Sequence, residues 1–451
     1  MARLLRLIPL IVLVVASCSK PEDPPPVKPP VTPPPNNYGD CTKILIDGYT
    51  EYLSYKGGDI AIAMLNFSSN ESPCNLRIYD VNGSLAFSVA SPTIKQAIST
   101  QDASTNGYGY LPTVQIPIPT NLKSGIYLIE NSIPFIVKPS APVDALVVYP
   151  SNTVNAYSRA GGHSMYDGAS RVTTASFQRP FQVQWQSLIC LQWLTTQREF
   201  NFGYICDSDL DDAASLPSFK IIIIPGHSEY WTRKARVNFD RYVDQGHHAL
   251  ILSGNTMWWQ VRYSADKTKM ICYKDAALDP EPDRSLATIT WDMPSLNYYI
   301  IPSIGADFNH GGYGLLTDRG WDGYMIATPS SPLFEGLSLL KGDILHIPSG
   351  EYDGAPILQF DANGFPILDK SATGFKKLEL IGFDKGARNN AETIGTFIVG
   401  QKNDQSGIII NAASYDWCSY RGMGGQDGDK IKRITYNAIK KLLRGERIFS
   451  Q

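Results

Sequence analysis

The sequence is short of charge. Asp, Glu, Lys and Arg make up 18% of its 451 residues, and their signs nearly cancel to a formal net charge of -3. A nucleic-acid or strongly acidic partner would need a basic face to draw it in, and the composition holds no such excess. No C-x-x-C pair is present, nor H-x-x-x-H, nor H-E-x-x-H, which argues against thiolate and paired-imidazole zinc sites. A serine nucleophile elbow is missing as well. Gly226-His227-Ser228-Glu229-Tyr230 lacks the final glycine of G-x-S-x-G and has bulky neighbours. The loop holding Asp207 and Asp209 falls short of the D-x-[DN]-x-[DN]-G calcium pattern and reads as solvated. Beyond the N-terminus no run is apolar enough for a transmembrane helix.

What the chain does have begins with an export signal. Arg3 and Arg6 precede an apolar run at 7–15 that is too short to span a bilayer. Val15-Ala16-Ser17-Cys18 then reads as a bacterial lipobox. Residues 1–18 are therefore expected to be a lipoprotein signal peptide, with Cys18 lipidated as the first mature residue. The plainer alternative is a cleaved signal with Cys18 unmodified. Residues 19–40 are rich in proline, which favours extended polyproline II and cannot build a core. They read as a stalk. The expected location is the bacterial cell envelope, on the outer membrane or cell surface, with the membrane as a partner through the lipid. Six cysteines remain after Cys18. Cys41 and Cys74 are candidates for a disulfide, since exported proteins form them, and the others suit small buried apolar positions.

Residues 41–140 read as all-β. Short apolar strands alternate with turns such as Lys56-Gly57-Gly58 and Asn82-Gly83, which suggests an immunoglobulin-like sandwich. From 141 to 451 strands and helices alternate. Strands are expected at 145–149, 204–206, 221–224, 249–252 and 407–411. Helices are expected at 184–197, 232–245 and 429–444, with Thr232 capping the second. That order predicts an α/β three-layer domain of flavodoxin-like or glutamine-amidotransferase-like type. The cysteine nucleophile of the latter is absent; its place falls near Ser253 or Asn255. Residues 283–386 are less regular and read as an insertion or added lobe.

The 220–232 stretch organises this second region. Four consecutive isoleucines suit a strand buried on both faces, and Pro225 and Gly226 end it. His227, Ser228, Glu229, Tyr230 and Trp231 follow directly. Other predicted strand ends carry Tyr149 to Tyr157, with Tyr166 beyond, and Ser253, Asn255, Trp258 and Trp259. Consecutive parallel strands deliver such ends to one edge of a sheet. Phenols, a carboxylate and amides dominate, and hard oxygen donors of this kind suit a hard cation such as Fe(III). Aromatic residues reach 11%, with 24 Tyr and 8 Trp, a surplus that builds cores or binds sugars and peptides.

Several motifs, in order, resemble the C-terminal family of the N,N-dimethylformamidase large (beta) chain. They are Val148-Tyr149-Pro150-Ser151-Asn152-Thr153-Val154-Asn155-Ala156-Tyr157, Ser176-Phe177-Gln178-Arg179-Pro180, Pro225-Gly226-His227-Ser228-Glu229-Tyr230-Trp231, Ser253-Gly254-Asn255-Thr256-Met257-Trp258-Trp259 and Asn411-Ala412-Ala413-Ser414-Tyr415-Asp416-Trp417. The resemblance covers about residues 144–443. It implies hydrolysis of a linear amide at a mononuclear Fe(III) held by two tyrosinates and one glutamate. Glu229 and Tyr157 fall in the matching motifs. For the second tyrosine it points to Tyr127, in Ser124-Gly125-Ile126-Tyr127, with Tyr149 and Tyr166 as competitors. His227, Asn255, Lys274 and Glu351 match the polar residues placed around the metal, and Tyr230 and Trp231 read as packing. The family's namesake enzyme works with a separate small subunit, which nothing in this chain supplies. Together with the export signal, this points away from dimethylformamide and toward an amide or related C–N bond in an extracellular molecule, with a homo-oligomer possible. Two alternatives stand beside a surface-anchored iron hydrolase. One is a non-catalytic glycan- or peptide-binding lipoprotein that keeps the enzyme fold; the other is a cofactor-free hydrolase using His227 and Glu229.

Overall fold

The isoleucine run at 221–224 continues through Pro225 and Gly226 as one strand, Ile221–Gly226, buried at every position. In the computed structural model, which describes residues 38–450 apart from 71–72 and 315–319, this strand lies inside an eleven-stranded sheet. The chain is mixed α/β, with many strands and few helices. Five strands run parallel, in the order Phe202–Cys206, Ala145–Tyr149, Ile221–Gly226, His248–Ser253 and Ile408–Asn411. Alternate side chains enter two cores. Val147, Ile221 and Ile223 pack with Leu191 and Leu194 of helix Trp185–Thr196 and with Ile434 and Leu442 of helix Gly428–Arg444. Leu146, Val148, Ile222 and Ile224 pack with Ala235, Phe239 and Val243 of helix Arg233–Asp244. Thr232 caps that helix, its hydroxyl accepting the Ala235 N–H at 3.0 Å.

Beyond Ile408–Asn411 the sheet turns antiparallel, through Ala391–Gln401, Lys377–Arg388, Asp307–Tyr313 and Glu351–Gly354. Residues 283–386, read as an insertion or added lobe, do not form a separate lobe. Much of that segment extends the central sheet and brings Glu351 to it. The sheet is also unlike an all-parallel flavodoxin sheet for this reason.

Ahead of it lie a six-stranded and a three-stranded sheet built from Gly39 to Val137. They share a core containing Ala63, Leu65, Leu76, Ile78, Ile116 and Phe135. Cys41 and Cys74 are disulfide-bonded here, and Cys190, Cys206, Cys272 and Cys418 are free and buried. The signal peptide, Cys18 and nearly all of the proline-rich stalk lie outside the described residues. Among the described residues no helix is long and apolar enough to cross a membrane.

Candidate functional site

The strand Ala145–Tyr149 is the first of the five parallel strands in the chain, yet it lies between two others. The chain moves from it to Phe202–Cys206 on one side and to Ile221–Gly226 on the other. A crevice opens at the carboxyl edge where the order reverses, and ligands of open α/β sheets bind there. The short helix Ser151–Tyr157 follows the first strand and ends with Tyr157 at the crevice. Gly161 and Gly162, at φ +85° and +115°, fold the chain back. A Cβ at Gly161 would come within 2.4 Å of the Ser104 nitrogen, so this turn requires glycine. The return lays the Tyr166 ring on that of Tyr157, with centroids 4.2 Å apart and planes at 23°.

At the end of strand Ile221–Gly226, Gly226 has φ +76°, and the Gln184 amide clamps the next residue. Its Oε1 accepts the His227 N–H at 3.1 Å and its Nε2 donates to the His227 carbonyl at 2.9 Å. Glu229 lies two residues on, with 2% of its surface exposed. Its carboxylate gathers three donors. Tyr166 donates to Oε1 at 2.6 Å, Trp259 Nε1 donates to Oε1 at 3.0 Å, and Tyr157 donates to Oε2 at 3.1 Å. Tyr230 donates in turn to the Tyr166 hydroxyl at 2.6 Å. Burial, reinforced by the Glu229 charge, pushes both Tyr157 and Tyr166 well above the ordinary phenol value.

His227 is oriented from behind. Its Nδ1 is 3.0 Å from the Gly254 carbonyl, which only accepts, so Nδ1 carries the proton of the neutral ring. Nε2 is then the basic nitrogen. It faces Tyr157 Oη at 3.4 Å, Glu229 Oε2 at 3.4 Å and Glu351 Oε2 at 3.6 Å. Burial first, then the Glu229 charge, raises the Glu351 carboxyl above the usual range, against His227 and Asn255, which lower it. Asn255 Oδ1 and Glu351 Oε2 are buried and lack hydrogen-bond partners. Asn255, Met257 and Lys274 sit in the left-handed region, at φ +51°, +59° and +57°. Such a conformation costs a non-glycine residue about 1–2 kcal/mol, and strain of this kind gathers at functional sites. Lys274 lies outside the polar cluster. Its Nζ is 3.4 Å from the Tyr166 ring centroid and donates to the Met165 carbonyl at 3.2 Å.

Five of the seven metal-site and catalytic residues expected from the sequence therefore come together, with Lys274 against the face of Tyr166. Tyr127 does not. It lies in the core of the N-terminal sheets, stacked on Phe135 at 5.9 Å, with its hydroxyl donating to the Lys123 carbonyl at 2.9 Å. Tyr166 takes its place beside Tyr157 and Glu229. The signal was the Gly161-Gly162 reversal between Tyr157 and Tyr166. Tyr230, read as packing, bonds into the cluster, as does Trp259. Asp207, read as solvated, is buried and accepts the Asn152 N–H at 2.7 Å.

The oxygens of Tyr157, Tyr166 and Glu229 share one locus. His, Cys, Asp and Glu alone form no metal-binding group among the described residues, so a cation here would be held by phenols as well as carboxylate. Two phenolates and a carboxylate carry three negative charges, the charge and hardness that suit a trivalent ion. The orphaned polar atoms of Asn255 and Glu351 mark the adjoining space as a ligand position. The residues present fit a ferric site.

A cavity of about 620 Å³ opens onto Tyr157 and His227. Its outer wall comes from the N-terminal sheets, including Asp47 and Ser132. A family model described as N,N-dimethylformamidase beta subunit-like, C-terminal, matches residues 80–426. The match reaches further toward the N-terminus than the motifs alone indicate, into the N-terminal sheets, and ends before helix Gly428–Arg444. No curated protein matches the chain.

Proposed function

Since the chain belongs to the N,N-dimethylformamidase beta subunit-like family, which points to a role related to amide hydrolysis, we propose that it is an iron-dependent hydrolase of an amide C–N bond, held at the cell envelope by a lipid on Cys18 and acting on an extracellular substrate. One observation carries this reading. Two phenol oxygens and a buried carboxylate meet beside a histidine whose free nitrogen points at the same place. A purely structural cluster has no use for that arrangement.

A ferric ion held by Tyr157, Tyr166 and Glu229 would supply Lewis acidity to the amide carbonyl and lower the pKa of water. The rest falls to the chain. His227 Nε2 takes a proton from the attacking water and returns it to the departing amine, as amide cleavage requires. Glu351, 3.6 Å away, stabilises the imidazolium formed in between. Asn255 presents its unpartnered amide oxygen to the N–H of the substrate. Lys274 holds the Tyr166 ring in place through its face.

The test is release of amine from simple linear amides by iron-loaded protein. Removing the acid–base group in His227→Ala is expected to lower kcat by about 10²–10⁴-fold with iron content retained. Glu229→Ala should lose both iron and activity. Full turnover by iron-loaded His227→Ala would reject this role, and full turnover without iron would reject the metal reading.

A further inference from the structure

The cavity above His227 is far too large for a one-carbon amide, and its walls are specific. A line of ring contacts leads outward from the site. His227 meets Tyr415 at 5.3 Å, Tyr415 meets Trp185 at 5.9 Å, and Trp185 meets Tyr420 at 5.5 Å. The two outermost rings are open to solvent, with Trp185 at 42% exposure and Tyr420 at 55%. Trp185 lines the cavity directly. Arg421 stands over the Trp185 and Tyr420 rings, 5.9 and 5.3 Å from their centroids, and pairs with Asp416 at 3.7 Å; the exposed Trp185 face on the cavity side is a platform for a ligand. The rest of the lining mixes apolar side chains such as Ile46, Ile133 and Phe181 with the uncharged polar Ser132, Gln182 and Gln186 and one carboxylate, Asp47. Asp47 is half-buried, and its carboxylate also meets the Tyr110 phenol. No Lys or Arg lines the cavity.

Each feature removes a class of substrate. With Asp47 in the lining, no cationic side chain beside it, and Arg421 at the rim paired to Asp416, the cavity disfavours anions such as acidic peptides and uronic acids. An aryl amide would stack on Trp185 but make no use of Asp47, Gln182 and Gln186. A neutral sugar ring uses both the aromatic and the polar lining. Its apolar C–H face covers an indole, and its hydroxyls donate to a carboxylate and to amide oxygens. We propose that this cavity binds the sugar of an N-acylated amino sugar, with Trp185 as the stacking platform and Asp47 as a hydroxyl acceptor that sets specificity. The inference rests on the amide-hydrolase reading for the fate of the acyl group. Water oxygen bonds to the carbonyl carbon, the C–N bond breaks, and a proton passes to the nitrogen. The products are a carboxylic acid and a free amino sugar.

The experiment measures binding and cleavage separately on the full-length protein. Calorimetry with N,N'-diacetylchitobiose is compared with cellobiose, acetanilide and N-acetylglutamate, on the wild type, Trp185→Ala and Asp47→Asn. Released acetate is assayed alongside. Binding of diacetylchitobiose that weakens about tenfold or more in Trp185→Ala and in Asp47→Asn, with weaker binding of acetanilide and N-acetylglutamate, supports the proposal. Absence of saccharide binding in a protein that still cleaves simple amides overturns it and leaves the hydrolase reading standing. Tighter binding of acetanilide, or unchanged binding in both variants, also overturns it. Saccharide binding without any amide cleavage supports the pocket assignment and removes the hydrolase reading instead.

Discussion

Arg179 is expected to be the structural key to the second phenol. Its side chain is fully buried, and among the described residues no carboxylate pairs with it. It bonds to main-chain carbonyls instead. Nε donates to Ser176 at 2.9 Å, one terminal nitrogen to Ala160 at 2.6 Å, and the other to Asn155 at 2.8 Å. The same fork reaches Asn155 Oδ1 at 3.1 Å and His163 at 3.4 Å. These acceptors flank the reversal that joins Tyr157 to Tyr166. Burial lowers the guanidinium to about 10, so it stays charged at neutral pH. Each charge-assisted bond contributes about 1.5–3 kcal/mol. Relief of a desolvated cation returns several kcal/mol. The net loss in Arg179→Met is then on the order of 3–5 kcal/mol, the range in which a buried network fails. Arg179→Lys should recover only part of it, because one ammonium cannot reproduce the planar fork. Urea unfolding with iron analysis is the assay. Both variants should unfold at lower urea, Met more than Lys, and both should bind iron more weakly. Stability within about 0.5 kcal/mol of wild type, with iron content unchanged, would refute the reasoning.

Two further expectations concern stability alone. The Cys41–Cys74 bond spans 33 residues of sequence, and opening a loop of that size costs about 3–4 kcal/mol by chain entropy; the Cys41→Ser/Cys74→Ser double variant should show that drop in urea, with the free cysteines untouched. His248 accepts the Ile408 N–H at Nδ1, at 3.0 Å, and burial lowers its pKa from 6.5 to about 4. Because the folded value is depressed, its contribution is complete above pH 6.5 and drains away as the pH falls toward 4. The full shift corresponds to about 3 kcal/mol, and partial solvent access reduces it to about 1–2 kcal/mol. His248→Gln should flatten that part of the pH–stability curve, and an unchanged slope between pH 7 and 4.5 would contradict the assignment.

Much of the architecture was legible from local pattern. The isoleucine run fixed a buried strand because only a strand covered on both faces tolerates four in a row. Thr232 and Gly246 bracketed a helix by their capping chemistry. The antiparallel half of the sheet was not read, although Asn389-Asn390 carried its signal. Both residues have positive φ, at +49° and +65°, and join strands that pair from Arg388 to Ala391. Two asparagines in that conformation make the tight hairpin turn that matches strand twist. At the site, residues next to a strand end were found, because topology sends strand ends to one edge. Tyr127 misled because Ser-Gly-x-Tyr is a pattern of neighbours, whereas its inward place in Gly125–Ile129 follows from strand alternation. Tyr166 and Trp259 reach Glu229 through space, from a loop and from another strand; the Gly161-Gly162 reversal hinted at the first, and no local pattern encodes the second.

The central claim is that Tyr157, Tyr166 and Glu229 hold one ferric ion. Visible absorption and metal analysis of the purified protein test it most directly. The wild type should carry about one iron per chain and a tyrosinate-to-iron charge-transfer band. The band should vanish or shift in Tyr157→Phe and Tyr166→Phe and persist in Tyr127→Phe. Protein that cannot be loaded with iron, or a band lost in Tyr127→Phe and kept in Tyr166→Phe, would contradict the account.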